Sequence, residues 1–345
     1  MTNRIRYPKP LQKGDAIAVT APSSGVEANL HSILKKAKQN VEDQGYRIVE
    51  GETIWTEVKA ASSTKEKRAE ELMGFLLDDR IKAILPPWGG EFLMEILPLM
   101  DWEELKKAPP KWVLGYSDIS TFLFSYTLLT GTATAHGTNF FDLSSPGWDE
   151  LSKRWIDVLS LEKGQTIVQH SSSNYQSSWE KAFNNQGTGF DLDTPTEWKV
   201  AGDKKEAEFS GRLIGGCQDT LSILLGTPFA PVKKYIKDFA EEGGIWYLES
   251  CDMAASGIYR SLWQMKQAGW FENTKGVLIG RPANYKPAKD FELEDALERI
   301  FADMNIPVVY DMDIGHMPPQ NILVNGAVGT VKVSDGKGTL EMVFD

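Results

Sequence analysis

Lys111-Trp-Val-Leu-Gly-Tyr-Ser-Asp-Ile119 is the stretch on which the reading of this chain turns. Trp112 to Leu114 is a short apolar run that reads as a strand, and an amphipathic stretch from Ile119 to Leu129 reads as a helix. Between them stands Ser117, on a strand-to-helix turn where a hydroxyl is pushed clear of the backbone and free amide N–H groups lie beside it. A nucleophilic serine requires that setting. Ser117 and Asp118 are also both favoured N-cap residues, so the motif taken alone suits a plain helix start as well as a reaction.

Outward from this stretch, strand and helix signals alternate. Ala16 to Thr20 is β-prone and ends in the turn-rich Ala21-Pro-Ser-Ser-Gly25. Leu30 to Gln44 predicts a helix, with Leu30, Ile33, Leu34, Ala37 and Val41 on one face and Gly45 as its stop. Tyr46 to Val49 predicts a strand, Lys65 to Asp78 a helix, and Ile81 to Leu85 a buried strand that leads into Pro86-Pro-Trp-Gly-Gly90. A short helix from Phe92 to Leu97 follows. This order predicts an α/β fold with a mostly parallel sheet covered by helices on both faces. Functional loops in such sheets gather at the carboxyl ends of the strands, which puts Pro22 to Gly25, Trp88 to Glu91 and Tyr116 to Asp118 on one rim.

Composition sets the outer limits. A chain of 345 residues, 41% hydrophobic and 25% charged, suits two cores better than one. A net charge of -11 argues against a nucleic-acid partner, which needs concentrated Lys and Arg. No apolar segment follows the charged Met1 to Pro10, and none later approaches the roughly 18 residues of a membrane span. The expectation is a cytoplasmic protein, with no membrane partner. Cys217 and Cys251 are the two cysteines, so disulfide scaffolding is not expected. They and four scattered histidines make no zinc spacing, and neither a metal nor a cofactor is expected.

From about Ser160 to Ser210 the alternation fails. His170 to Trp198 is rich in Ser, Asn, Gln, Thr and Gly, yet carries Tyr175, Trp179, Phe183, Phe190 and Trp198. So long a loop either covers a site or docks as a linker. Beyond it lies a second unit: Leu221 to Leu225 helical, Gly244 to Leu248 a strand ending at Glu249, Ser261 to Gly269 a helix, Val277 to Ile279 and Val308 to Tyr310 strands, and Leu323 to Phe344 β-hairpins. The division expected is 1–160 for the domain carrying the nucleophile, 161–210 for a linker, and 211–345 for a C-terminal domain.

A serine hydroxyl needs a base, usually histidine, and the histidine an orienting acid. His31 opens a helix, His170 lies in the polar segment and His136 follows a small strand, whereas His316 lies in the loop Asp311 to Gln320 just after a strand. His316 is therefore the candidate base, and activity is expected to fall as it protonates below pH about 6.5. Glu249, at the end of Ile245-Trp-Tyr-Leu248, is the candidate acid, with Asp252 and Asp313 as competitors. Neither cysteine lies beside a recognisable base, which makes Ser117 the better nucleophile.

Gly115-Tyr-Ser-Asp-Ile119, the Gly89-Gly90 pair, Gly211-Arg-Leu-Ile-Gly-Gly216, Leu225-Gly-Thr-Pro-Phe229, Leu248-Glu249 and Gly315-His316 together resemble the serine peptidases called LD-carboxypeptidases, and the resemblance spans nearly the whole chain. It implies a two-domain protein, the N-terminal sheet of class I glutamine amidotransferase type and the C-terminal domain α/β with added β-strands. It also implies a Ser-His-Glu triad, a cytoplasmic location and often a homodimer. On this sequence it makes Ser117 the nucleophile, Glu249 the orienting acid and His316 the base, with the amides of Asp118 and Gly90 as the oxyanion hole.

Two branches of that family take different substrates. One removes D-alanine from cell-wall tetrapeptides; the other, the microcin-immunity proteins, cleaves the amide between a peptide's terminal aspartate and a nucleotide. The first usually has an arginine before the Gly-Gly pair and Tyr-Gly after it, whereas Trp88 precedes Gly89 here and Glu91-Phe92 follow. These departures favour the second branch, with Trp88, Gly89 and Glu91 near the substrate and Trp179 or Trp198 stacking on a base, worth roughly 1–3 kcal/mol. Cys217 stands where the family commonly has asparagine. From another class, a peptide- or nucleotide-binding protein without turnover is the alternative.

Overall fold

The computed structural model describes residues 4–178, 188–202 and 204–345. The first five strands, β1 (Ala16–Val19), β2 (Arg47–Glu50), β3 (Ile81–Ile84), β4 (Trp112–Gly115) and β5 (Thr134–His136), are parallel neighbours in the order β5-β4-β3-β1-β2. Every residue of β1 and of β4 is buried, as expected of parallel strands covered on both faces, which read as apolar runs. The helices between and after them are α1 (His31–Asp43), α2 (Lys65–Leu77), α3 (Trp102–Lys107), α4 (Ile119–Thr130) and α5 (Glu150–Leu159). In α1 the buried residues are Ile33, Leu34, Ala37 and Val41, the face that the spacing predicts, with Leu30 in a short turn just before it.

Helix α4 corrects one expectation. It is not amphipathic: every residue from Ile119 to Thr130 except Leu129 is buried. Its sequence carries no charge, and a helix enclosed all round is what such a segment forms.

The remaining strands are β6 (Thr166–His170), β7 (Asn174–Tyr175), β8 (Thr194–Pro195), β9 (Lys199–Val200), β10 (Glu206–Cys217), β11 (Gly244–Glu249), β12 (Thr274–Gly280), β13 (Val308–Met312), β14 (Leu323–Asn325), β15 (Val328–Ser334) and β16 (Lys337–Val343). Strands β10 to β13 run parallel at the centre of a second sheet ordered β6-β16-β15-β10-β11-β12-β13-β9, and its outer strands are antiparallel. β7 and β8 make a separate antiparallel ribbon.

Two features depart from the division expected at 160 and 210. β6 and β9 are working strands of the second sheet, and β14 crosses back to pair antiparallel with β5, Leu323 opposite His136. The alternation of β6 is masked because one of its inward residues is polar: buried Gln169 exchanges hydrogen bonds with the backbone of Ile322, at 2.7 and 2.9 Å. β10 begins before Gly211, in Glu206-Ala-Glu-Phe-Ser, whose alternating acids face solvent.

The sheets meet at α4. The Cys217 amide, at the end of β10, donates to Ser120 Oγ at 3.0 Å, and Asn325 Oδ1 of β14 accepts from the Gly215 amide at 2.9 Å. The carboxyl end of β10 is thereby held against the start of α4, and Tyr116, just past β4, meets His316, just past β13.

Candidate active site

Ser117 leaves β4 with φ at +63°, a conformation that costs a non-glycine residue about 1–3 kcal/mol and is kept only where surrounding structure imposes it. Asp118, buried, does much of the imposing. Its Oδ2 accepts from Ser23 Oγ at 2.5 Å and the Leu93 amide at 2.8 Å, and its Oδ1 from Thr121 Oγ1 at 3.1 Å. One carboxylate thus ties the loop after β1, the turn after β3 and the start of α4 together. Burial raises the Asp118 carboxyl, and these donors pull it back only in part.

The Gly89-Gly90 turn packs directly on the serine. A methyl placed on Gly89 would lie 2.6 Å from Ser117 Oγ and 2.8 Å from the Asp118 amide nitrogen, so no larger residue fits. Gly90 has φ at +142°, and a methyl there would meet Ser23 and Ser24. Among the described residues the amides of Gly90 and Asp118 enter no hydrogen bond. Trp88 is braced away from the pair: its indole N–H donates to the Gly25 carbonyl at 3.0 Å and its ring packs on Phe141. Glu91 is exposed.

His316 and Glu249 meet across the second sheet. His316 Nδ1 lies 2.6 Å from Glu249 Oε2, with the carboxylate fully enclosed. The enclosure needs glycine on two sides: a methyl on Gly315, whose φ is +87°, would lie 2.2 Å from Glu249 Oε2, and one on Gly280 2.9 Å from Glu249 Cβ. Tyr116, next to Ser117, sets its ring edge-on against His316, centroids 4.9 Å apart.

Both halves of the chain match family models: residues 17–137 the LD-carboxypeptidase N-terminal domain and 210–331 the LD-carboxypeptidase C-terminal domain, peptidase family S66. The chain belongs to the LD-carboxypeptidase family. Members of it are serine-type hydrolases of peptide bonds, and this chain is one of them. It is 28% identical to a Vibrio cholerae serotype O1 protein named as a carboxypeptidase, across 97% of each chain. It is 24% identical to the murein tetrapeptide carboxypeptidase of Pseudomonas aeruginosa, across 92% of this chain and 93% of that one. Among solved structures, an MccF-like protein from Bacillus anthracis superposes with a TM-score of 0.83 at 23% identity, covering 98% of this chain and 99% of that one. The microcin C7 self-immunity protein MccF, in complex with aspartyl sulfamoyl adenosine, superposes with a TM-score of 0.81 at 18% identity, covering 97% and 98%. These establish a shared fold.

In this LD-carboxypeptidase the electrostatics separate the histidines. Burial alone would lower His316, but the Glu249 charge together with hydrogen bonding to Cys251 and Glu249 outweighs it and holds the imidazole well above its ordinary value. Burial alone would raise Glu249; facing His316 reverses that, and its carboxyl sits below the usual range. His136, enclosed beside Ser120, is pushed down to about 4 by burial. His31 is tied to the Val26 carbonyl at 2.8 Å, and His170 ends β6.

The competing acids are occupied. Asp313 takes Trp198 Nε1 at 2.8 Å, the Ser172 amide at 2.9 Å and hydroxyl at 2.7 Å, and Arg281 Nη2 at 2.6 Å. Asp252 bonds Asn284 at the surface. The expectation for Trp198 is corrected here: it is 1% exposed, with its N–H spent on Asp313, and has no face to offer a base. Trp179 lies outside the described residues. Arg281 is the residue the sequence reading missed. Buried at the end of β12, it clamps Asp313 and the Asp311 and Met317 carbonyls, fixing the loop that carries His316. An arginine directly after the apolar Val277-Leu-Ile-Gly280 was the available signal. Among the described residues, Cys217, Glu249 and His316 form a side-chain cluster whose spacing would suit a metal ion.

Proposed function

We propose that Ser117, His316 and Glu249 are a catalytic triad and that the chain hydrolyses an amide at the C-terminal end of a peptide, preferentially one joining an acidic residue to a nucleotide. The observation that carries the triad is the enclosed 2.6 Å His316–Glu249 bond beside Tyr116, on the rim that bears Ser117 in its constrained turn. Ser117 Oγ attacks the carbonyl and gives its proton to His316 Nε2. Glu249 fixes the Nδ1–H tautomer and stabilises the imidazolium. The Asp118 and Gly90 amides receive the developing oxyanion. His316 then protonates the leaving amine, and water, activated in the reverse sense, releases the acyl group from Ser117.

The nucleotide preference is supported by Trp88 and Glu91 flanking the glycine pair, and by the likeness to MccF, whose complex holds aspartyl sulfamoyl adenosine. Cell-wall tetrapeptide cleavage is the second reading, favoured by the Pseudomonas aeruginosa relative. The resemblance supports a homodimer, and the two free cysteines suit the cytoplasm; among the described residues no helix is long and apolar enough to cross a membrane.

The test compares the purified protein with Ser117→Ala on an aspartyl-nucleotide amide and on a muramyl tetrapeptide. Ser117-dependent cleavage of the nucleotide substrate alone is the expected result. Cleavage of the tetrapeptide alone moves the protein to wall recycling, and binding without turnover or labelling by a covalent serine reagent returns it to the binding class.

A further inference from the structure

The third member of the site cluster is Cys217. In the parallel register of β10 and β11 it stands opposite Glu249, and register partners present their side chains on the same face. Its Sγ, a Glu249 carboxylate oxygen and a His316 ring nitrogen all lie within 4.8 Å of one another, and all three residues are buried. A second observation points to a ligand. Glu249 is 1% exposed, yet its Oε1 receives no N–H or O–H donor among the described residues, and the group its carboxylate faces besides His316 is the Cys217 thiol. Asp219 adds negative potential, its Oδ2 lying 3.7 Å from the thiol.

We propose that Cys217, Glu249 and His316 form an inhibitory binding site for a zinc-class divalent cation. A soft thiolate, an imidazole and a carboxylate suit zinc and disfavour magnesium or calcium. Zinc binds such ligands at roughly 2.0–2.3 Å, so tetrahedral coordination sets them about 3.3–3.8 Å apart. With the ligand atoms within 4.8 Å of one another, that requires at most about 1.5 Å of adjustment, and His316 Nδ1 and Glu249 Oε2, now 2.6 Å apart, would have to open. Zinc takes the place of the thiol proton and of the proton shared by His316 and Glu249, and both leave to solvent. Without metal the thiol stays protonated, because burial and then the neighbouring acids push it well above its ordinary value. With zinc bound, His316 and Glu249 are committed to the metal, and Ser117 loses its base. The inhibitory consequence rests on the triad proposed above; the binding does not.

The test uses the intact chain after chelation and gel filtration. Co2+, as a spectroscopic stand-in, should give a thiolate-to-cobalt charge-transfer band saturating near one equivalent and displaced by Zn2+. The band should persist in Ser117→Ala and vanish in Cys217→Ser. Cys217→Asn, a second polar replacement, guards against one variant failing to fold. In the hydrolysis assay Zn2+ should inhibit the unaltered protein, and the Cys217 variants, each read against its own metal-free rate, should need at least tenfold more zinc. No band in the folded protein, a band that survives loss of Cys217, equal zinc sensitivity, or activation by zinc would each overturn the proposal. A cobalt band with no hydrolysis of any peptide would keep the metal site and count against the triad.

Discussion

Gly89→Ala is the sharpest test of the serine's setting. A methyl at Gly89 would lie 2.5 Å from Ser117 Cβ, 2.6 Å from Ser117 Oγ and 2.8 Å from the Asp118 amide nitrogen. Carbon atoms in contact settle about 3.5–4.0 Å apart, so the turn or the serine must retreat by about 1 Å. Ser117 has little freedom to do so, because Asp118 is fastened by Ser23, Leu93 and Thr121. A displacement of this size at a reacting atom costs on the order of 100-fold, and loss of one oxyanion donor about 100- to 1000-fold. The expected fall in kcat/KM is therefore about 100- to 1000-fold, roughly 3–4 kcal/mol of barrier. The overpacking should cost about 1–3 kcal/mol of stability and leave the protein folded. Steady-state hydrolysis, labelling by a covalent serine reagent and thermal unfolding read these together. A folded Gly89→Ala protein within threefold of the unaltered rate would refute the assignment of chemistry to this turn.

If His316 is the base, it must be neutral to act. Its imidazole is held above its ordinary value by Glu249, so the acid limb of the rate profile should centre above pH 6.5, higher than the sequence alone suggests. Glu249→Gln should move that limb to lower pH while cutting kcat by about 1000- to 10,000-fold; an unmoved limb in the residual activity would remove Glu249 from the role. Asp142 is pushed up to about 7, chiefly by burial, while accepting the Asn139 amide at 2.9 Å. Because its folded value exceeds the unfolded one, the folded state holds the extra proton and loses stability as pH rises from about 4 to 7. Asp142→Asn should flatten that slope and add of order 2 kcal/mol at pH 7.5, read by denaturant melts across pH. Trp198→Phe should cost about 1–3 kcal/mol of stability by removing a buried donor to Asp313, and should weaken nucleotidyl and wall peptides equally; a selective loss on the nucleotidyl peptide would restore Trp198 to the substrate.

The first sheet was legible because its strands are buried on both faces and announce themselves as apolar runs, as in Ala16–Val19 and Trp112–Gly115. Their carboxyl-end loops then followed from topology. What stayed hidden had a physical reason in each case. Helices Val232–Phe239 and Leu293–Phe301 went unread, as did most of the first half of Ala255–Gln267, since short helices packed on a sheet borrow their stability from tertiary contact. Gln169 concealed β6, and Asp313 looked like a free acid because its donors Ser172, Trp198 and Arg281 lie far away in the chain. Pairings between distant residues leave no local periodicity to read.

The site itself depends on a stitch that no local pattern predicts. Ser117 follows a strand of the first sheet, Glu249 ends a strand of the second and His316 follows another, so the two sheets need a common register to bring the three together. Two links meet that need. β14 leaves the second unit to pair with β5, and Asn325 on it accepts from the Gly215 amide and from the Tyr247 hydroxyl, at 2.9 and 2.7 Å. Ser120, one turn beyond Ser117, takes the Cys217 amide directly opposite Glu249. A shift of β10 against α4 would therefore move the acid and its histidine relative to the serine as one body. Glycines at 89, 280 and 315 set how closely the parts approach, since each abuts Ser117 or Glu249 where a methyl would collide. On this view the glycines are spacers for the reacting groups, and their replacement should impair catalysis well before it unfolds the protein.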